Sequence, residues 1–247
     1  MKFENTEVWG FEHSLRGMRN PLNSWRRSDS GTNYDCMNGC REDCPHLNMD
    51  CDEEYCDEFR IGQNDMKLAQ TLIKAGNEHR KFMRQIFVSV DITAPLYWWK
   101  EFDTYKVGTV ANSTSTMHKL ATTPITLDCF EIDDYDRNLS LADNPKDDDG
   151  LDNISTFEED IIYVLENIRQ KYLETKDKRY WKELVRWLPE SWLQKRTITM
   201  NYENIRNMYF QRRNHKLTEW SKSFIKWAES LPYAEDLMMY DGKSETP

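Results

Sequence analysis

Three observations predict an α+β fold, a single domain with helices packed on a small, mostly antiparallel sheet. The stretch IFVSVDIT alternates its apolar side chains at a period of two, as a half-buried strand does. Several capped segments carry apolar residues three and four apart, the pattern of an amphipathic helix. Aromatic residues make up 13% of the 247, nine of them Trp, and supply the large side chains of a core despite a mean hydropathy of −0.85.

Taken along the chain, residues 1–65 read as a loop-rich lead-in, rich in Asn, Asp, Ser and Gly and without a sustained period. From Asn64, NDMKLAQTLIKAG predicts a helix: Asn64 or Asp65 caps it, Met66, Leu68, Leu72 and Ile73 are its apolar residues, and Gly76 stops it. A strand follows, with Ile86, Val88, Val90 and Ile92 alternating, and ends at Ala94-Pro95. Pro95 suits the first turn of the next helix, PLYWWKEFDTYKV, which gathers Trp98, Phe102 and Tyr105 on one face and ends at Gly108. The polar run TVANSTSTMHK reads as a loop, and residues 133–153 as an acidic, turn-rich connection. Four helices are expected beyond it, over 156–175, 178–187, 201–214 and 217–231. The main domain then spans 66–235 and a flexible tail 236–247.

Charge excludes some functions. The 33 Lys and Arg against 43 Asp and Glu give a net charge of −10 and a pI near 5.1, which argues against a general nucleic-acid binder. The sequence has no apolar stretch of membrane-spanning length and no signal-peptide core at its start, so a soluble, cytoplasmic protein is expected, with no membrane partner. Cys36, Cys40, Cys44, Cys51 and Cys56 cluster with His46, and Cys129 stands apart. Four or more soft ligands could hold zinc or an iron–sulfur cluster. The spacing C-x3-C-x3-C-x6-C-x4-C departs from the usual two-residue pairs, and neighbouring acids disfavour thiolates. Reduced thiols are therefore expected and no metal is assigned.

Two segments could bind an anion. In MNYENIRNMYFQRRNHK, Asn201, Ile205, Met208 and Arg212 share one helical face, so an apolar stripe ends in a guanidinium that needs an anionic partner. That partner is either one of the chain's acids or a bound phosphate or carboxylate, and Arg213 could share the role. Lys106 precedes Thr109, Asn112, Ser113, Thr114, Ser115 and Thr116, which suits either an anion-holding loop or a plain solvated one. The aromatic run Tyr97, Trp98, Trp99 and Phe102 reads as core, and His79 and His118 are isolated. The Gly-rich dinucleotide motif, the phosphate-binding Gly-Lys-Ser loop, Gly-x-Ser-x-Gly and His-Glu-x-x-His are all missing from the sequence.

Two blocks carry a family resemblance. FVSVDITAPLYWWKEFDTYKVGTVANSTSTMHK resembles the strand, Ala-Pro and helix that lead into the Arg-His-Arg-x7-Ser signature of the flavin-dependent thymidylate synthases, the ThyX family. LPESWLQKRTITMNYENIRNMYFQRRNHKLTEW is similar to that family's Leu-Pro segment, Asn-led helix, Arg and closing Trp. The signature is altered here: Arg-His-Arg falls on Thr104, Tyr105 and Lys106, and its serine on Thr114, or on Ser113 or Ser115 after a one-residue slip. The family's phosphate-binding arginine before Leu-Pro falls on Val185, with Arg186 adjacent.

The resemblance implies reductive methylation of dUMP to dTMP, with FAD as cofactor and methylenetetrahydrofolate and NADPH as co-substrates. It implies a homotetramer with shared active sites. Arg212 and Arg213 would be the catalytic pair, and Glu101, Lys106, Ser113, Thr114, Ser115 and Arg186 would bind substrate with them. His79, Arg84, Lys106, Asn201 and Asn207 would hold the cofactor. Two alternatives stand beside it: a related flavin-dependent enzyme that modifies a pyrimidine nucleotide differently, and a non-catalytic nucleotide- or metal-binding protein on the same fold.

Overall fold

Alternation along 87–95 decides the centre of the fold. In this computed structural model, Phe87–Pro95 is a strand, β4, whose Val88, Val90, Ile92 and Ala94 are buried while Ser89, Asp91 and Thr93 are only half-buried. The structure describes residues 1–32, 59–115, 119–133 and 154–242. The cysteines from Cys36 to Cys56, His118, most of the acidic connection and the last five residues lie outside the described residues.

The fold is α+β, with a small antiparallel sheet, as the sequence predicts. β1 (Lys2–Trp9), β4, β5 (Val110–Ser113) and β6 (Leu193–Asn201) form a four-stranded sheet in the order β1-β4-β6-β5. β2 (Gly31–Thr32) and β3 (Phe59–Arg60) pair antiparallel, Gly31 opposite Arg60. The helices are α1 (Phe11–Met18), α2 (Gln63–Lys74), α3 (Leu96–Phe102), α4 (Ile154–Thr175), α5 (Lys178–Trp187), α6 (Tyr202–Arg212) and α7 (Ile225–Glu229). None of the described helices is long and apolar enough to cross a membrane.

Several expectations are corrected. The lead-in 1–65 is not loop throughout, since it opens with β1 and α1. β1 contains no buried residue, so its sequence has no alternation to read. The polar run after Gly108 contains β5, whose four residues are all exposed. β6 precedes α6 where no strand was expected. The helix expected over 95–107 stops at Phe102, where turns formed by Thr104 N–H on Glu101 O and Tyr105 N–H on Phe102 O replace it. The helix expected over 217–231 is a π-helical turn, Glu219–Phe224, followed by α7. Neither Asn64 nor Asp65 is the N-cap of α2, which begins after Gly62.

The chain divides into two compact units. Unit one comprises residues 1–5, 90–106 and 111–198. Its core includes Leu120, Ile125, Phe130, Leu165 and Leu184, with α4 against α5, and an aromatic group in which Trp98 stacks on Phe102 at 5.1 Å between centroids. Unit two comprises residues 6–89, 107–110 and 199–247. There α1 and α6 both pack on the 3-10 turn Lys81–Gln85, and Phe11 meets Tyr202 and Tyr233 edge-on.

Candidate functional site

In unit one, the end of β5 is fixed by backbone and amide bonds to β6. Thr114 N–H donates to Lys195 O (2.9 Å), and Gln194 Nε2 donates to Thr114 O (3.0 Å). Ser113 and Thr114 are exposed and Ser115 half-buried, beside a braced backbone. Lys106 is exposed and Glu101 half-buried at the end of α3. Arg186, exposed on α5, is ion-paired with Glu183 one turn earlier.

Sequence reasoning missed one ordered cation of this unit. Arg196 on β6 lies over the Trp99 ring at 4.3 Å from its centroid, donates through Nε to Gln194 Oε1 (3.0 Å) and through Nη1 to Asp103 Oδ1 (2.7 Å). Only its place in a strand could have revealed it, because even-numbered β6 residues face the buried side with Ile198 and Met200. Its neighbour Lys195 faces the other way and is held by Glu4 (3.2 Å) and Asp91 (3.3 Å), carboxylates that raise its pKa.

In unit two, α6 starts where Asn201 accepts from Asn204 N–H through Oδ1 (3.0 Å), an N-cap that satisfies an orphan donor of the first turn. Asn204 Nδ2 donates to Val107 O (2.6 Å), and Gly108, at φ +77°, lies so close that an added Cβ would sit 2.8 Å from Asn204 Oδ1. That Oδ1 is buried and has no donor among the described residues. Asn201, Ile205 and Met208 are buried and Arg212 half-buried, which is the shared face the sequence predicts. Arg212 stacks over Trp220 (4.9 Å) and Asn207 is exposed.

Two other cations of unit two, Arg80 and Arg206, are committed. Arg80 grips Glu203 through Nε and Nη2 at 2.9–3.1 Å, at the N-terminal turn of α6, where a carboxylate is favoured. Arg206, buried, donates to Met238 O (2.5 Å) and Tyr240 O (2.8 Å), and burial, with Arg80 nearby, lowers its pKa to about 10. Arg213 is exposed, stacks over Phe210 (5.2 Å), and lines a cavity of about 660 Å³ with Glu229, Glu235, Asp236 and Asp241. Four carboxylates against one guanidinium oppose a phosphate in that cavity. His79 is exposed on the rim of a second cavity of about 440 Å³, beside Leu72 and Phe82, and Arg84 is exposed on the turn that packs on α6. The predicted residues thus divide between the two units: Glu101, Lys106, Ser113, Thr114, Ser115 and Arg186 in unit one, and His79, Arg84, Asn201, Asn207, Arg212 and Arg213 in unit two.

Among the described residues, no group of three or more His, Cys, Asp or Glu side chains is placed to hold a metal ion. Cys129 is a free, half-buried thiol, 3.7 Å from Pro124 O.

The fold is that of known enzymes. The chain is similar to the flavin-dependent thymidylate synthase ThyX from Helicobacter pylori, solved in complex with FAD and dUMP, with a TM-score of 0.60 and 14% identity over 96% of this chain and 98% of that one. A second structure of ThyX from Helicobacter pylori with FAD and dUMP matches 99% of this chain and 100% of its own, again at 14% identity and a TM-score of 0.60. No family model matches the sequence, and no curated protein does. At this identity the likeness is one of fold.

Proposed function

We propose that the protein is a flavin-dependent enzyme acting on dUMP, making dTMP by reductive methylation with methylenetetrahydrofolate as one-carbon donor and NADPH as reductant, as a homotetramer with shared active sites. The observation that carries this reading is a fold likeness that runs almost end to end in both chains. The donor set of unit two fits FAD. Arg84 and His79 are exposed where a diphosphate can reach them, Asn207 is exposed on α6, and Asn204 Oδ1 is a buried acceptor suited to a ring N–H beside Asn201. When bound, FAD would supply the hydride carrier.

The chain's own residues bind and orient. Lys106 neutralises the substrate phosphate, and Ser113, Thr114 and Ser115 donate to its oxygens from a backbone that β6 holds in place. Glu101 faces the same substrate, and Arg186 joins it on release from Glu183. Arg212, oriented by the Trp220 face, is the better of the two catalytic arginines, because Arg213 opens among carboxylates. A guanidinium donating to a uracil carbonyl stabilises negative charge that develops on that oxygen. This chemistry needs no cysteine nucleophile, and neither block that carries the resemblance contains a cysteine.

A visible absorption spectrum of the purified protein, followed by titration with dUMP, tests the reading. Flavin bands that shift on adding the nucleotide are expected. A protein that neither carries flavin nor binds added FAD overturns it.

A further inference from the structure

From Lys106 to Ser115 the chain offers three successive hydroxyl residues but only one cation, too little charge for a phosphate that carries nearly two negative charges. Within unit one, β6 delivers a second. The Gln194 amide is a bridge: its Nε2 donates to Thr114 O and its Oε1 accepts from Arg196 Nε, both at 3.0 Å. Arg196 Nη1 bonds Asp103, three residues before Lys106. One guanidinium is therefore tied to Asp103, just before this segment, and through Gln194 to Thr114 near its end. Thr104 and Tyr105, which replace two cations of the resembled signature, lie between Asp103 and Lys106, so Arg196 returns a charge where the sequence lost one.

A structural ion pair does not account for this arrangement. The Asp103 side chain is 51% exposed, and a pair with so wet a partner contributes little. Arg196, only 15% exposed, is nonetheless fixed by Trp99, Gln194 and Asp103. Two of its five N–H groups make these bonds; the other three have no acceptor among the described residues. A pre-oriented planar fork with donors to spare suits a phosphate, since little rotamer entropy remains to be lost on binding.

We infer that Arg196 binds the 5′-phosphate of a nucleoside monophosphate together with Lys106 and the hydroxyls of Ser113, Thr114 and Ser115. The inference rests on the nucleotide reading above. Calorimetric titration of dUMP and of deoxyuridine into the wild-type protein, Arg196→Gln and Arg196→Lys separates the two. Arg196→Gln is expected to weaken dUMP by about 10- to 100-fold, the loss of one or more charge-assisted bonds, while deoxyuridine binding is unchanged. Arg196→Lys keeps the charge but not the fork and falls between. If the wild type binds dUMP no better than deoxyuridine, the nucleotide reading fails and takes this inference with it. If the wild type prefers dUMP and Arg196→Gln keeps that preference, the role of Arg196 alone is overturned. Should Arg196→Gln lose its cooperative melt, a wild-type preference in Arg196→Lys decides against the inference in the same way.

Discussion

At the scale of single residues, Asp65 shows how a side chain can be misassigned from its neighbours. Its position before an apolar run makes it a capping candidate, yet it is fully buried and accepts from Arg19 Nε (2.5 Å), Ser28 Oγ (2.7 Å), Ser30 Oγ (2.5 Å) and the N–H groups of Asp29 (3.2 Å) and Ser30 (3.1 Å). The first turn of α2 is satisfied instead by Asp29, which accepts from Asn64 N–H (2.9 Å) and Asp65 N–H (3.1 Å). Burial alone raises the Asp65 pKa, but Ser30, Ser28 and Arg19 together bring it below the ordinary value. A carboxylate depressed on folding contributes stability that is complete above its unfolded pKa and is lost as pH falls through the folded one. Urea midpoints measured downward from about pH 5 should therefore fall in the wild type and fall less in Asp65→Asn. At neutral pH, Asp65→Asn leaves Arg19 buried without its charge partner and should cost about 3–5 kcal/mol. A loss within about 0.5 kcal/mol, the range of an ordinary surface change, would show that the network is dispensable.

Elements differ in how far their sequences reveal them, and α6 is the clearest. Its buried Ile205 and Met208 follow from residues spaced at helical period, whereas the Asn201 cap emerges only in the structure. Asn201→Ala removes the acceptor for Asn204 N–H and should lower stability by about 1 kcal/mol, with Asn201→Ser recovering most of it. Equal urea midpoints for Asn201→Ala and the wild type would mean that Asn204 N–H finds another acceptor. β4 was legible for the same reason, because a period of two survives wherever one face is buried. β1 and β5 were not, since no residue of either is buried and hydropathy then carries no signal. β6 hides its period behind the polar run Gln194-Lys195-Arg196-Thr197, although Arg196 packs inward on Trp99. Site residues follow the same division. Arg212 announced itself as a guanidinium on an apolar stripe, whereas Arg196 needed the pairing of β5 with β6 before its link to Thr114 could be seen.

On the scale of the whole molecule, the chain matches the fold of the ThyX structures over nearly its full length at 14% identity, so the likeness lies in the fold and not in individual residues. Function must then be read from binding, and a net charge of −10 makes binding a demanding criterion. The anionic ligands proposed here are repelled by the molecule at long range and held only where cations are concentrated. Four buried or half-buried arginines are committed elsewhere: Arg19 to Asp65, Arg80 to Glu203, Arg169 to Glu166 and Arg206 to backbone carbonyls. Any large ligand-induced stabilisation must come from other cations. A ligand at one hundred times its Kd that binds only the folded state adds about 2.7 kcal/mol, which for a chain of this size raises Tm by roughly 5–11 °C. Thermal melts should show such a rise with FAD and with dUMP, and a smaller one with deoxyuridine at the same concentration as dUMP. A rise with FAD alone would point to a flavoprotein acting on another substrate. Unchanged melts with both ligands would mean that the fold has outlived its ligands, and that the exposed cations of both units serve solubility rather than binding.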